Sequence, residues 1–541
     1  MNDVLIVGAG PVGLTMALAC QQQGMAFRLI EKLPEPSGLS KALAVWSAVL
    51  EMLDGLGVAG GFLGRGIVAK GVKISRGRQC LIEIPAGLGV DSPFPQMVLL
   101  PQSESEQILW EALEAGGGKI ERGAELAGLV PSENGVAVKI RHPDGQVEDR
   151  EFRWVVACDG AHSTVRHLIG AQFEGDAMED PFVLCDARIE GEIEPARAQI
   201  FWSSKGLLAV FPVLRGVWRV IGTRSDRDAD TEPTLEEMQA ILDERGPGGW
   251  TLHDPTWLSL FRISERMATS FRHGRVLLAG DAAHIHSPAG GQGMNTGMQD
   301  AFNLAWKLSV LASGYGDEDA VLDSYHSERA PVAARVLAES GRMIRSNYIK
   351  NPIAQIVRDN VVRMASHSAK IKKTMALKLS GLDLHYPTGT FVADDQAWEE
   401  DWRPYGFAPG WRPRDVSVYR SREPISLFAT WHPPLFTLLM FSGRRPIYRD
   451  MDRLSAVELV AEGWGKLVRT VRVWCGDEPP PGDWLLDPDG SAHRKFGVEL
   501  PAFYLIRPDQ YVALRSQPAE AGVLQDWLAR SLPGEGNPEG C

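Results

Sequence analysis

Apolar and polar positions along this chain repeat with two different periods, and the switches between them divide it. Residues 3–7 form a short apolar run, as expected for a strand buried on both faces, and the run stops at a glycine-rich turn. Helical spacing follows over residues 14–23, then a second strand over 26–30 that ends in Glu31. The same reading predicts buried strands at 152–157 and 275–279 and helices over 46–56, 101–113, 294–312, 322–343 and 353–379. Residues 187–190, 199–202, 207–211 and 217–221 alternate or run apolar at strand length, which predicts an antiparallel sheet, with an acidic helix and turn over 226–249. After about residue 383 the pattern changes again. Strand-like runs at 436–441, 470–474, 502–506 and 512–514 interleave with helical spacing at 456–463 and 527–532, which predicts a small α/β domain.

A chain of 541 residues is too long for one hydrophobic core. Its 44% hydrophobic and 23% charged residues describe a folded protein. The net charge of -13 comes with no basic stripe, which argues against a nucleic-acid binder. It does not exclude a phosphate-bearing ligand, because backbone amides at a helix start hold phosphate inside an acidic protein. The N-terminal apolar run is too short to span a bilayer, so no membrane partner is expected. The six cysteines include no CxxC pair and no metal-like cluster. A cytoplasmic enzyme with reduced thiols and no bound metal is therefore expected.

The first candidate chemistry lies at Gly8-Ala9-Gly10-Pro11-Val12-Gly13, between the first strand and the first helix. Gly8 permits the turn, Gly10 lets backbone approach a pyrophosphate, and Gly13 permits close helix packing. Glu31, at the end of the next strand, is placed to accept hydrogen bonds from an adenosine ribose. FAD or NAD satisfies this much. Lys41, in the loop that follows, is a phosphate candidate or a solvated lysine, and Gln102 is a cofactor contact or a helix cap. Asp159 and Gly160 leave the 152–157 strand in a turn, and Arg166 either faces phosphate or forms a structural ion pair.

A second glycine-rich segment, GDAAHIHSPAGGQGMNTG, starts at Gly280. Asp281 can accept from ribityl hydroxyls. Pro288, Gly291, Gly293, Met294 and Asn295 lead into a helix whose unpaired amides offer positive field to an electron-rich ring or a phosphate. One dinucleotide explains both glycine segments, and with the second segment present that dinucleotide is a flavin. His284 and His286 lack accompanying ligands for a metal. On the predicted sheet, Phe201, Phe211 and Pro212 are the pocket candidates, although a one-residue slip in register inverts every side chain. Arg188 and Arg219 suit a substrate carboxylate as well as they suit a solvated strand.

GAGPVG with Glu31, CDGAHSTVR at 158–166 and GDAAHIHSPAGGQGMNTGMQDAFNLAWKL at 280–308 together resemble the class A, single-component flavoprotein aromatic hydroxylases. The similar branch contains phenol hydroxylase, the hydroxyphenylpropionate hydroxylases and the polyketide aromatic hydroxylases. The resemblance implies an α/β fold: an FAD-binding Rossmann-like (GR2-type) domain over 1–174 and 271–382, with an inserted antiparallel-sheet substrate domain at 175–270. It further implies a C-terminal thioredoxin-like domain over 383–541 that lacks CxxC, with packing or a homodimer contact as its role. Glu31 and Gln102 would contact FAD, Asp281 its ribityl chain, and Asp159 with Arg166 both FAD and the nicotinamide cofactor. Pro288 would lie beside the flavin ring. Lys41 stands where the family usually has arginine, so the charge is kept and the planar fork lost. The implied reaction uses NADPH, or NADH, to reduce FAD, then dioxygen to form a flavin hydroperoxide that hydroxylates a phenolic or polycyclic ring. Epoxidation, halogenation or attack on a quinone or ketone are the alternatives on the same scaffold, with a non-catalytic flavoprotein behind them. The halogenase WxWxIP segment is missing. Substrate identity stays open.

Overall fold

The computed structural model describes residues 3–534 except 39, 41, 225, 227–230, 348–350, 395, 399–404 and 445–450. The chain divides into two compact units. The first is Met1–Ala17, Arg28–Ala301 and Ala330–Leu382, and the second is Leu18–Phe27, Phe302–Arg329 and Asp383–Cys541.

The first unit is organised around a six-stranded sheet in the order Arg272–His273, Val276–Leu278, Trp154–Ala157, Val4–Val7, Phe27–Glu31, Ile120–Arg122. Val4–Val7 runs parallel to Trp154–Ala157, pairing Val4 with Trp154 and Val7 with Ala157, and Val155 pairs in turn with Val276. All four residues of Val4–Val7 are buried, as the unbroken apolar run requires. This register brings the ends of three parallel strands to one edge. The turns that follow them begin at Gly8, Cys158 and Ala279, so the three motifs that are distant in sequence emerge side by side.

An eight-stranded sheet in the same unit carries the predicted antiparallel strands within Phe173–Glu190, Ala198–Ser203, Gly206–Pro212 and Val217–Thr223, together with Thr251–Ala268, which the sequence pattern does not single out. Gly71–Arg76 and Gln79–Pro85 extend it at one side, and His284–Ile285 at the other. The expected 175–270 insertion is therefore too narrow, because two of its strands come from a hairpin 90 residues earlier that sequence adjacency cannot reveal. One face packs on the helix Leu235–Arg245, whose first turn Thr234 caps by accepting from Glu237 N at 3.2 Å. Cys185, Val210, Val220 and Trp218 from the strands meet Met238, Ile241 and Leu242 there.

The expected 353–379 helix is two helices, Pro352–Ser366 and Ala369–Ser380. Ser368 caps the second by accepting from Ile371 N, and that cap competes with continuation of the first helix.

The second unit contains a seven-stranded mixed sheet. Phe436–Phe441 runs parallel to Val468–Cys475 and antiparallel to Ala502–Ile506, which pairs antiparallel with Val512–Ser516. The helices Met451–Gly463 and Ala521–Ser531 complete it. Residues 302–329 belong to this unit with 383–541, so the expected break at 383 does not bound it. Five buried polar side chains tie its segments together. Arg507 donates to Glu328 and Asp509, Lys307 Nζ to Glu328 at 2.8 Å, and Asn303 to both carboxylates.

Candidate active site

The two glycine segments converge. A Cβ at Gly280 or at Gly297 would lie 2.8 Å from Val12 Cγ2, so the second segment packs its glycine backbone directly on the side chain of Val12 at the start of the first helix. Within the first segment the glycines divide by role. Gly8, at φ +100°, has backbone that L side chains rarely adopt, and a Cβ there would meet Cys158 O at 2.5 Å. A Cβ at Gly13 would lie 1.8 Å from Gly8 O. At Gly10 a Cβ would meet nothing within 4 Å. Gly8 and Gly13 are therefore required by packing, whereas Gly10 opens onto unfilled space at the start of the helix Pro11–Gln22. That open cradle has the form a pyrophosphate needs. Pro11 and Val12 are the first residues of this helix.

Glu31 closes the turn. Its Oε2 accepts from Ala9 N at 2.8 Å and its Oε1 from Leu33 N at 2.9 Å, which leaves further lone pairs on both oxygens. Gln102 latches the neighbouring loop. Its backbone N donates to Ser40 Oγ, its Oε1 accepts from Ala42 N, and its Nε2 donates to Glu106. Burial pushes the Glu106 carboxyl above its ordinary range. Lys41 lies outside the described residues.

Asp159 Oδ2 accepts from Val165 N at 3.1 Å, while its buried Oδ1 has no partner among the described residues. Burial pushes this carboxyl up as well. Arg166 is a bracket. It donates to Ala282 O at 3.1 Å and Ala161 O at 2.7 Å and lies 4.0 Å over the Phe173 ring, joining the second turn to the third.

The third turn is held from below. Asp300 Oδ2 accepts from Gly280 N at 3.1 Å and from His284 Nε2 at 2.7 Å, all three residues being buried. Asp281, beside them, is exposed and its carboxylate is unencumbered by this network. His286 donates to Ser287 O from Nδ1, leaving a buried Nε2 without a partner among the described residues, and burial pushes its imidazole below the ordinary value. Pro288 O accepts from Gly291 N at 3.0 Å, shaping the turn into the helix Gly293–Ala312. Gly293 and Met294 begin that helix.

Asn295 and Trp46 lock this segment in place. Trp46 N donates to Asn295 Oδ1 at 2.9 Å, Trp46 Nε1 donates to Gly290 O at 2.9 Å, and Asn295 Nδ2 donates to Ala44 O and Gly291 O. Asn295 thus gives both amide N–H groups to protein, and a cofactor contact donated from that side chain competes with these bonds. A Cβ at Gly291, at φ +63°, would approach Ala44 Cβ to 2.9 Å. Reasoning from sequence missed the bracing roles of Trp46, Asp300 and His284. The one available signal was Asp300, seven residues into the helix and on the face of Gly293.

The second face of the eight-stranded sheet turns toward this segment. Phe182, Leu207, Ile221 and Phe261 pack with Ala289 beside Pro288. Phe211 lies on this face with Trp46, Val72 and Leu379. Phe201 does not. It belongs to the opposite face, its ring edge-on to Trp250 at 5.8 Å, in the core against the Leu235–Arg245 helix. Pro212 follows Phe211 by one position and pairs with Trp218 on that same outer side. Strand alternation, read one residue out of step, explains both corrections; Ile200 and Trp202 take the face expected for Phe201.

The fold also brings together Cys475, Asp487 and His493, with potential ligand atoms within 4.8 Å of one another. Asp487 Oδ2 already accepts from His493 Nδ1 at 2.7 Å and from its backbone N, so this is a hydrogen-bonded pair beside a thiol.

An open glycine cradle at a helix start, an unpartnered buried carboxylate oxygen and a braced second helix start together fit FAD. Residues 1–340 match the family model described as an FAD binding domain. The chain is 34% identical over 530 residues, 95% of its length and 91% of the relative's, to 6-methylpretetramide 4-monooxygenase of Streptomyces rimosus. It is 35% identical over 502 residues to rifampicin monooxygenase of Streptomyces venezuelae, covering 88% of this chain and 96% of that one. The crystallised anhydrotetracycline hydroxylase of Streptomyces rimosus superposes with a TM-score of 0.76 at 30% identity, over 98% of both chains. An FAD-binding Rossmann-like domain carrying a sheet-rich substrate domain is thus the architecture, and the chain belongs to the class A, single-component FAD-dependent aromatic hydroxylases, which use NAD(P)H and dioxygen to hydroxylate an aromatic ring.

Proposed function

We propose that the substrate of this hydroxylase is a fused-ring phenol, with NADPH as the reductant. The observation that carries this reading is the broad apolar sheet face that reaches from Ala289, beside Pro288, to Phe211 and Trp46. A wall of that breadth suits several rings better than one. The tetracycline and rifampicin relatives support the same size class by the substrates in their names.

In this reading Gly8, Gly10, Pro11, Val12 and Gly13 supply backbone to the pyrophosphate, and Glu31 accepts from the ribose while holding the turn. Gln102 fixes the loop that carries Lys41. Asp281 accepts from the ribityl chain, and Asp159 offers Oδ1. Arg166 and Asn295 act as braces. Bound FAD supplies hydride acceptance from NADPH and the activation of dioxygen. Pro288 and the amides of Gly291 and Gly293 fix the plane against which the substrate lies, and Phe182, Phe211, Ile221 and Phe261 hold the ring there and exclude water.

We also propose that residues 383–541 form a thioredoxin-like domain. The parallel strand–helix–strand unit Phe436–Phe441, Met451–Gly463 and Val468–Cys475, followed further on by the antiparallel pair Ala502–Ile506 and Val512–Ser516 and the helix Ala521–Ser531, supports it. Without CxxC its role is packing or contact with a second copy. No described helix is long and apolar enough to cross a membrane. A cytoplasmic location belongs to the same proposal and is consistent with the free thiols at Cys20, Cys80, Cys158, Cys185 and Cys475.

The test is NADPH oxidation by FAD-loaded protein across simple phenols and fused-ring phenols, with product mass recorded. Stimulation and gain of one oxygen by fused-ring phenols alone supports the reading. Equal turnover of simple phenols removes the size argument.

A further inference from the structure

Four adjacent strands of the eight-stranded sheet place Phe211, Arg219, Asp186 and Trp257 in one cross-strand row. Phe211 marks the face of this row as the one turned to the substrate wall, and Ile221, two positions from Arg219, belongs to the cluster around Ala289. Every other wall residue named above is apolar, so the Asp186–Arg219 pair is a polar island on it.

The pair is built with care. Arg219 Nε and Nη2 donate to the two oxygens of Asp186 at 2.8 and 2.7 Å, and the Trp257 ring lies 5.1 Å from Cζ. Arg219 is 2% exposed and Asp186 7%. Asp186 consumes two of the three guanidinium nitrogens, and the third, Nη1, has no hydrogen-bond partner among the described residues. A buried ion pair gains little stability over a well-packed apolar pair. Its distinctive product here is a cation whose two Nη1 N–H groups are rigidly oriented beside an apolar wall.

We propose that Nη1 of Arg219 binds an ionised oxygen of the substrate, a phenolate or the enolate of a 1,3-dicarbonyl, with Asp186 as the residue that positions it. This rests on the fused-ring reading above and sharpens it to a ring system bearing an acidic hydroxyl. Arg219 lies about 7 Å along its strand from Ile221, two residues at strand rise. That is farther than one benzene ring reaches, so the oxygen bound here sits on a different ring from the one held against Ala289. Planar guanidinium donors match an oxyanion, and a low-dielectric wall strengthens the contact. The bound phenol or enol gives its proton to solvent.

The probes are 2-hydroxy-1,4-naphthoquinone, which is an anion at neutral pH, and its 2-methoxy ether, titrated into FAD-loaded protein and followed by quenching of flavin fluorescence. Wild-type protein is expected to bind the hydroxy compound at least ten-fold more tightly. Arg219→Gln is expected to erase that preference without changing the dissociation constant of FAD. Arg219→Lys, which keeps the charge and loses the fork, is expected to retain a reduced preference, and it carries the test if Arg219→Gln fails to fold. A wild-type protein without the preference, or an Arg219→Gln or Arg219→Lys variant that keeps it in full, overturns the assignment. Failure of the fused-ring reading shows separately, as hydroxylated product from simple phenols alone.

Discussion

Ala9 N donates to Glu31 Oε2 at 2.8 Å, so the residue expected to bind the ribose also fastens the first glycine turn to the neighbouring strand. A second bond, from Leu33 N to Oε1, holds the far side of the same carboxylate. Position and function are therefore coupled in one side chain. Glu31→Ala is expected to cost about 1.5–3 kcal/mol of stability, the range for a hydrogen bond to a charged group, and also to weaken FAD binding. Denaturant unfolding of the apoprotein and FAD titration read the two effects separately.

Gly10 and Gly13 separate cradle from packing. Gly10→Ala adds a methyl where nothing lies within 4 Å, so the apoprotein is expected to keep its unfolding midpoint while FAD affinity falls ten-fold or more. Gly13→Ala drives a Cβ to 1.8 Å from Gly8 O and is expected to cost about 3 kcal/mol or more before any cofactor is added. Equal stability of the two variants contradicts this division.

The buried cluster of the second unit sets a stability prediction. Arg507→Met leaves Glu328 and Asp509 buried without four of the seven hydrogen bonds they accept, and is expected to lower stability by about 3–5 kcal/mol. Glu328→Gln, which keeps shape and removes one charge, should cost less. Urea unfolding of the full chain, followed by far-UV circular dichroism, measures both.

Lys307 gives the cluster a pH signature. Burial lowers its pKa from the ordinary 10.5 to about 8, against the opposing pull of Glu328. Between those values the unfolded chain holds the proton that the folded chain has released, so stability rises with pH across that window. Below about 8 the full penalty of charging the buried amine applies. Lys307→Met is expected to flatten the rise between pH 8 and 10, and an unchanged slope in unfolding free energy would count against this assignment.

The cofactor end of the molecule was legible because glycine spacing and short buried strands are local signals. Gly8 and Gly13 each answer to a specific backbone approach and Gly280 to the side chain of Val12, and strand pairing then places their turns at one edge. The faces of the eight-stranded sheet were half legible. Phe211 packs with Trp46 and Leu379, whereas Phe201 and Pro212 lie on the opposite face, because a period of two carries no absolute phase. The 71–85 hairpin joins that sheet through pairs such as Ala198 with Val72, a contact between distant segments that no local pattern encodes. The same holds for Glu328 and Arg507, whose ion pair spans 179 positions. Asn295 was read as a ligand because of its neighbours, whereas its amide is committed to Trp46, Ala44 and Gly291.

The most direct measurement is turnover of a fused-ring phenol by FAD-loaded protein with NADPH under isotopically heavy dioxygen, followed by mass analysis of the product. The account predicts one heavy oxygen in the product, none from labelled water, and NADPH consumed only in step with that phenol. Product oxygen drawn from water, or NADPH consumption that yields peroxide and leaves every phenol unchanged, would contradict it.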